Sequence, residues 1–320
     1  MKIVITGAAG FIGGHLTDFL LADGHSIIGI DNLSLGTMGH LEKAQINPSF
    51  RFIEADLNET GSYQPQLEEE AKRSPIDAVW HLAANSDISA GVSDPEIDLR
   101  DTFLTTYHIL KVIRDLHIPR LAFSSTSAVY GDRTSLLEED SGPMLPISNY
   151  GAMKLAAEAS ISAAVESGLK QAWIFRFPNV IGPRATHGAL FDFIKKLRAD
   201  PSCLDVLGDG TQQKPYLHVF ELIDAMKFIV GKASASLNYY NIGPNGDGST
   251  VRYIAETAVR LVSPSAKIHY GSGAKGWVGD VSKFRYSVAK LGQLGWHPRF
   301  SSDEAVLRAL QELSLENSLS

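Results

Sequence analysis

The stretch Lys2-Ile3-Val4-Ile5-Thr6-Gly7-Ala8-Ala9-Gly10-Phe11-Ile12-Gly13 decides the fold. Lys2–Thr6 is a short β-branched run and reads as a strand. Gly7–Gly10 reads as a turn. From Phe11 to Asp23 the apolar residues Phe11, Leu16, Phe19 and Leu20 fall at helical spacing, and Gly24 ends the pattern. Glycines at 7, 10 and 13, between a strand and a helix, permit a tight turn, close backbone approach to a pyrophosphate, and close helix–strand packing. The helix start adds free amides and the positive end of the helix dipole. A second strand, Ser26–Asp31, ends in an acid 18 residues after Gly13. That is near the spacing of about 20 at which such an acid accepts hydrogen bonds from an adenosine ribose. Asp31 would repel a 2′-phosphate, which favours NAD over NADP.

The same rhythm continues outward. Phe50–Glu54, Ala78–Leu82, Leu121–Ser124 and Gln171–Phe177 read as further strands, with helical patterns between most of them, notably Glu96–Leu116 and Tyr150–Ser167. Alternation of near-continuously apolar strands with helices predicts an α/β fold: a Rossmann-type doubly wound parallel sheet. After Arg176 the rhythm breaks at Pro178, Pro183, Pro201, Pro215, Pro244 and Pro264, and at the Gly208-Asp209-Gly210 and Gly243–Gly248 turns. The expected organisation is an NAD-binding domain over residues 1–175 and a smaller C-terminal substrate-binding lobe over 176–320. A strand is expected to return to the main sheet within 216–243, at Tyr239–Ile242.

Composition narrows the partners. With 44% hydrophobic and 20% charged residues, the chain can bury a sizeable core. Its net charge of −7 argues against nucleic acid and anionic membrane, leaving a small molecule as the expected ligand. The single cysteine, Cys203, excludes an intrachain disulfide and suits a reducing cytoplasm. No secretory signal pattern fits the first residues, and no run reaches the roughly 18 apolar residues of a membrane helix. No metal is expected.

The chemistry is carried by Asn149-Tyr150-Gly151-Ala152-Met153-Lys154. On a helix, Tyr150 and Lys154 share one face, one turn apart. A nearby ammonium is expected to lower the phenol's pKa and make Tyr150 a general acid/base for redox chemistry on an alcohol. His81, just before Leu82, reads as a structural strand-end residue.

The whole set of motifs resembles the extended short-chain dehydrogenase/reductase family. Within it, the chain is similar to the NAD-dependent nucleotide-sugar epimerase/dehydratase branch, and most to UDP-hexose (UDP-glucose) 4-epimerases. The likeness runs through Thr6-Gly7…Gly10…Gly13, Asp31-Asn32-Leu33, Asp56-Leu57, His81-Leu82-Ala83-Ala84, Ser124-Ser125-Thr126 before Val129-Tyr130-Gly131, and Tyr150…Lys154. It continues through Arg176-Phe177-Pro178-Asn179-Val180-Ile181-Gly182-Pro183, Gly208-Asp209-Gly210-Thr211-Gln212 and Leu294-Gly295-Trp296. The resemblance implies a C4 hydroxyl oxidised by NAD and reduced again on the other face, through a transient 4-keto sugar. It implies Tyr150 as base, Lys154 on the nicotinamide ribose, and Thr126 bridging substrate O4 and Tyr150.

For the cofactor, the resemblance implies Gly7, Gly10, Phe11, Ile12, Gly13, Asp31 and Asn32, with Asp56 and Leu57 bordering the adenine. Leu82, Ala83, Ala84 and Pro178 line its path. For the nucleotide sugar it implies Asn179, His187, Lys214, Tyr216, Lys275, Asp280 and Phe284. Phe284 stands where small residues admit an N-acetyl group and so predicts a non-acetylated hexose. A homodimer through the 96–116 and 150–167 helices is also implied. Three departures matter. Ser127-Ala128 replaces the Asp-Glu pair of 4,6-dehydratases, which favours epimerisation over dehydration. Lys214-Pro215-Tyr216 replaces an Arg-Asp-Phe-like piece, and Asp101-Thr102 lies where a supporting Asn is usual. The last two leave a net C4 oxidase/reductase, or a dehydratase, on another nucleotide sugar as the competing reading, and a non-catalytic NAD-binding module as a more distant one.

Overall fold

The computed structural model describes residues 1–133, 135–273, 281 and 283–316. Seven strands make a parallel sheet: β1 (Lys2–Thr6), β2 (Ser26–Asp31), β3 (Phe50–Glu54), β4 (Ala78–His81), β5 (Arg120–Thr126), β6 (Gln171–Phe177) and β7 (Leu237–Asn241). Their order is β7-β6-β5-β4-β1-β2-β3. Thr6 at the end of β1 lies opposite Ile30 of β2 and His81 of β4. The chain moves out from β1 to β3, then crosses back to β4. The order therefore reverses at β1, and ligands of doubly wound sheets bind outside the strand carboxyl ends at that reversal.

Helices α1 (Phe11–Ala22), α2 (Thr60–Arg73), α3 (Ile88–Ser93), α4 (Pro95–Asp98), α5 (Thr105–Asp115) and α6 (Asn149–Glu166) follow in chain order. Val4, Ile30, Val79, Phe123, Ile161 and Ile174 belong to one buried cluster drawn from strands and helix. The single helix expected over 96–116 is interrupted. Asp94 caps α4 and Pro95 occupies its first turn. Leu99–Leu104 is then a π-helical turn. The Thr105 hydroxyl donates to the carbonyls of Asp101 and Thr102, and that of Thr106 to Thr102. These side chains compete for the helical ladder, a local chemistry that apolar periodicity does not register.

The chain divides into two compact units. The first comprises Met1–Val129, Leu145–Arg176 and Met226–Tyr240; the second comprises Tyr130–Met144, Phe177–Ala225 and Asn241–Ser320. This differs from one break at 175/176 with a single returning strand. Residues 130–144 join the second unit, where Leu136–Leu137 pairs with Arg285–Tyr286. There the Tyr130 hydroxyl donates to Asn241 Oδ1 at 2.7 Å, and Glu139 accepts from Asn241 N at 2.9 Å. Tyr216–His218 also stays in the second unit, paired with Asn179–Ile181. These are short, long-range pairings with no periodic signature.

His81 locks the end of β4 to that of β1. The Thr106 hydroxyl, whose proton goes to Thr102 O, must accept from His81 Nε2 at 3.0 Å. Nδ1 therefore accepts from the Thr6 hydroxyl at 2.6 Å. The ring is fully buried. Burial, reinforced by Lys154, lowers its pKa to about 3. In the unfolded chain it titrates near 6.5. Its contribution to stability is thus full above pH 6.5 and lost as pH falls toward 3, at about 1.4 kcal/mol per unit. In urea titrations between pH 6.5 and 4, His81→Asn should flatten the decline of unfolding free energy. A slope equal to that of the unmodified protein would contradict this.

Candidate active site

The glycine turn is built by close approaches. Gly7 has φ +68°, the left-handed region, and a Cβ there would stand 2.8 Å from Ala83 N. A Cβ on Gly13 would stand 1.9 Å from Gly7 O. The turn thus brings Gly7 against Leu82 and Ala83, the segment after β4, and Gly10 and Gly13 against Gly7 itself. Leu82 N donates to Thr6 O and Ala83 N to the Thr6 hydroxyl, at 3.2 and 3.3 Å. Gly10 is the N-cap of α1 and offers no side-chain cap, and the first turn carries no acid. The amides about Phe11, Ile12 and Gly13 are the kind of site an anionic diphosphate fits.

Asp31 sits beside this turn, buried. Its two oxygens accept from Ala9 N and Leu33 N, each at 2.9 Å. Burial raises its pKa, and the amides of Leu33 and Ala9 oppose that. Each oxygen keeps accepting capacity suited to ribose hydroxyls. The donor set therefore fits a dinucleotide. Asn32 is exposed and turns its Oδ1 onto Ser34. Asp56 accepts from Asn58 N at 2.8 Å. Leu57 is buried in the core cluster, with its carbonyl accepting from the Tyr63 hydroxyl.

The Tyr150 helix is set by local chemistry. Ser148 caps α6 by accepting from Gly151 N at 3.1 Å. Gly151 allows the first turn to close on the strand end, since a Cβ there would meet Ala128 O at 2.7 Å. Tyr150, Lys154 and Glu158 then lie at spacings of four, along one stripe. Lys154 is almost fully buried and donates to Ser124 O at 2.7 Å. Its ammonium lies 4.7 Å from the Phe123 ring centre and 5.9 Å from that of Tyr150. Thr126 Oγ1 accepts from Ala128 N at 3.1 Å, and its hydroxyl acts to lower the Tyr150 pKa.

Electrostatics depart from the sequence expectation. Burial pushes the Tyr150 pKa well above the usual phenol range; the Thr126 hydrogen bond opposes this and the charge of Asp98 adds to it. Burial likewise lowers the Lys154 pKa to about 7, against the opposing charges of Glu158 and Asp98. In the protein alone, the Lys154 ammonium donates to Ser124 O, and burial is the largest influence on the phenol. Desolvation outweighs a helix-spaced ammonium in a dry site.

The neighbouring serines have other partners. Ser125 donates to Glu158 Oε1, and Arg176 grips the same carboxylate, its Nη2 donating to Oε2 at 2.7 Å. Both charged side chains are over nine-tenths buried. Ser124 Oγ donates to His81 O at 3.3 Å. The buried carboxyl of Asp98, near both Tyr150 and Lys154, escaped the sequence reading. Asp101, by contrast, pairs with Arg100 at 2.7 Å. Nothing in a single sequence separates these two acids three positions apart.

The second unit holds the other predicted residues. Asn179 and His187 are exposed, and Pro178 is buried. His187 Nδ1 lies 3.1 Å from Thr186 Oγ1. Lys214 lies opposite Ser249 in a short antiparallel pair. Tyr216 is buried, its N–H donating to Ser302 Oγ at 3.0 Å. Phe284 is also buried and packs edge-on to Tyr286, which does the same to Tyr130. Lys275 and Asp280 lie outside the described residues. Among the described residues no group of His, Cys, Asp and Glu could hold a metal ion.

A switch-point glycine turn, an acidic β2 end and a Thr–Tyr–Lys set define a dinucleotide-dependent enzyme class. Known proteins narrow it. The model of the NAD dependent epimerase/dehydratase family matches residues 3–243, and the chain belongs to that family. The putative UDP-glucose 4-epimerase of Methanocaldococcus jannaschii is 27% identical over 98% of this chain and 99% of its own length. The structure of a UDP-galactose 4-epimerase superposes with a TM-score of 0.84 at 32% identity, covering 98% and 99% of the two chains. That of Thermotoga maritima UDP-glucose 4-epimerase with UDP-glucose gives 0.86 at 25% identity, covering both chains fully.

Gly13→Ala should weaken NAD at least about tenfold in a calorimetric titration, with the sheet's circular dichroism retained. Unchanged NAD affinity would contradict the role given to this turn.

Proposed function

We propose that the chain is an NAD-dependent 4-epimerase of a UDP-hexose, with Tyr150 the acid/base, Thr126 its proton bridge and Lys154 the residue that orders the nicotinamide ribose. One observation carries this: Lys154, one helical turn after Tyr150, donates to Ser124 O at 2.7 Å and so sets the Tyr150 helix against the strand end that carries Thr126, while Ser125 is engaged with Glu158. Bound NAD, held by the Gly7–Gly13 turn, Asp31 and Lys154, would supply the hydride acceptor and donor at C4, and its oxidised ring would be cationic. The chain's own task is the proton. Once Tyr150 has released its own proton to solvent, substrate O4 placed against Thr126 and Tyr150 loses its proton to the phenolate as the C4–H bond breaks. The 4-keto sugar turns over, and Tyr150 gives the proton back. A phenol held protonated by burial suits the return step; the forward step needs the added positive charge of the ring.

Ser127-Ala128 carries no acid or base for chemistry at C5 or C6, which supports epimerisation over dehydration. Asn179, His187, Lys214 and Tyr216 are the proposed nucleotide-sugar contacts of the second unit, and Pro178 a cofactor contact. A homodimer is proposed through the 96–116 and 150–167 helices; Leu99 and Tyr107 expose 43% and 49% of their surface there, which supports it. The reducing cytoplasm is the proposed compartment, where Cys203 stays a thiol. No helix among the described residues is long and apolar enough to cross a membrane.

Tyr150→Phe should lower kcat for UDP-glucose to UDP-galactose conversion by about 10²–10⁴ with little change in NAD affinity. Turnover near that of the unmodified protein would remove Tyr150 from the chemistry. Failure to epimerise any UDP-hexose would overturn the activity itself.

A further inference from the structure

Asp98, at the end of α4, is the buried acid that the proton path above does not use. It has no exposed surface. Asn85 Nδ2 donates to its Oδ1 at 2.9 Å and to Asp87 O at 2.9 Å. Asn85 Oδ1 in turn accepts from Asp87 N, so Asn85 is committed to this turn. The other oxygen, Oδ2, lies flat on the backbone of α3: a Cβ on Gly91 would stand 1.7 Å from it. It makes no hydrogen bond to a described residue, and burial raises the acid's pKa, with Asn85 and Thr102 opposing that. The carbonyl of that same Gly91 accepts from Asn149 Nδ2 at 2.9 Å. Asn149 is the first residue of α6, directly before Tyr150. A continuous chain of contacts thus runs from Asp98 through Gly91 and Asn149 to Tyr150.

A buried, under-bonded carboxyl is costly, and an apolar side chain would fill the place more stably. When ionised, it acts to raise the pKa of both reacting-site residues, Tyr150 and Lys154. The other charged or titratable groups in this neighbourhood are Asp87 from the α3 cap and Asp101 from the π turn, both facing Asp98. Glu158 of α6 and His81 of β4 face Lys154.

We propose that Asp98 is a positioning residue for the Tyr150 acid/base: seated on Gly91 and held by Asn85, its carboxyl fixes the turn that tethers Asn149 and supplies the negative charge that Tyr150 and Lys154 face. This rests on the reading of Tyr150 given above.

The test uses the full-length enzyme with NAD and UDP-glucose. Asp98→Asn keeps the size and the acceptor for Asn85 but removes the charge. With the phenol proton no longer held by that charge, the acid limb of kcat against pH should move down by about one unit, with NAD affinity unchanged. Asn149→Ala keeps the charge and breaks the tether. It should lower kcat about tenfold or more while leaving the limb where it was. An Asp98→Asn profile superimposable on that of the unmodified enzyme overturns the proposal, as does full activity in Asn149→Ala. If Tyr150→Phe kept turnover, the underlying reading would fail instead, so the two failures are distinct.

Discussion

The hydrogen bond from the Lys154 ammonium to the carbonyl of Ser124, at 2.7 Å, ties α6 to the carboxyl end of β5. The rest of the site hangs on that bond. It fixes which residue of the strand end lies level with Tyr150 one helical turn earlier, and that residue is Thr126. It also spends the ammonium on the strand rather than on the phenol. Around it, Glu158 continues the helix stripe and is gripped by Ser125 and Arg176. The buried Arg176–Glu158 pair keeps α6 parked on β5 and β6. A buried ion pair is weak evidence for stability, but strong geometry for register.

The electrostatics follow from dryness. Burial lifts Tyr150, lowers Lys154 and neutralises His81, in each case favouring the uncharged form. A site so arranged holds its proton until a further positive charge arrives. Coupling base formation to a bound oxidised ring would keep the phenol from ionising when no hydride acceptor is present. Asp98 adds to this restraint from the α4 side.

Much of this was legible in the sequence because it rests on local chemistry. The β1 run, the glycine turn and the acid at Asp31 are a contiguous strand–turn–helix, and their spacing maps directly onto the structure. Tyr150 and Lys154 share a face for the same reason. What escaped depends on contacts distant in sequence. Residues 130–144 belong to the second unit through Tyr130, Glu139 and Leu136–Leu137, which pair with residues more than a hundred positions away. The break in the 96–116 helix arises from threonine hydroxyls, not from periodicity. The weight of burial at Tyr150 cannot be read from spacing.

The central claim is that one Tyr150-centred site moves the O4 proton while the C4 hydrogen leaves and returns as hydride. The direct test is conversion of UDP-glucose bearing deuterium at C4, followed by mass spectrometry of the UDP-galactose formed and by absorbance of reduced cofactor. The account predicts full retention of deuterium at C4 and no accumulation of NADH. Deuterium lost to water, or NADH rising with product, would contradict it.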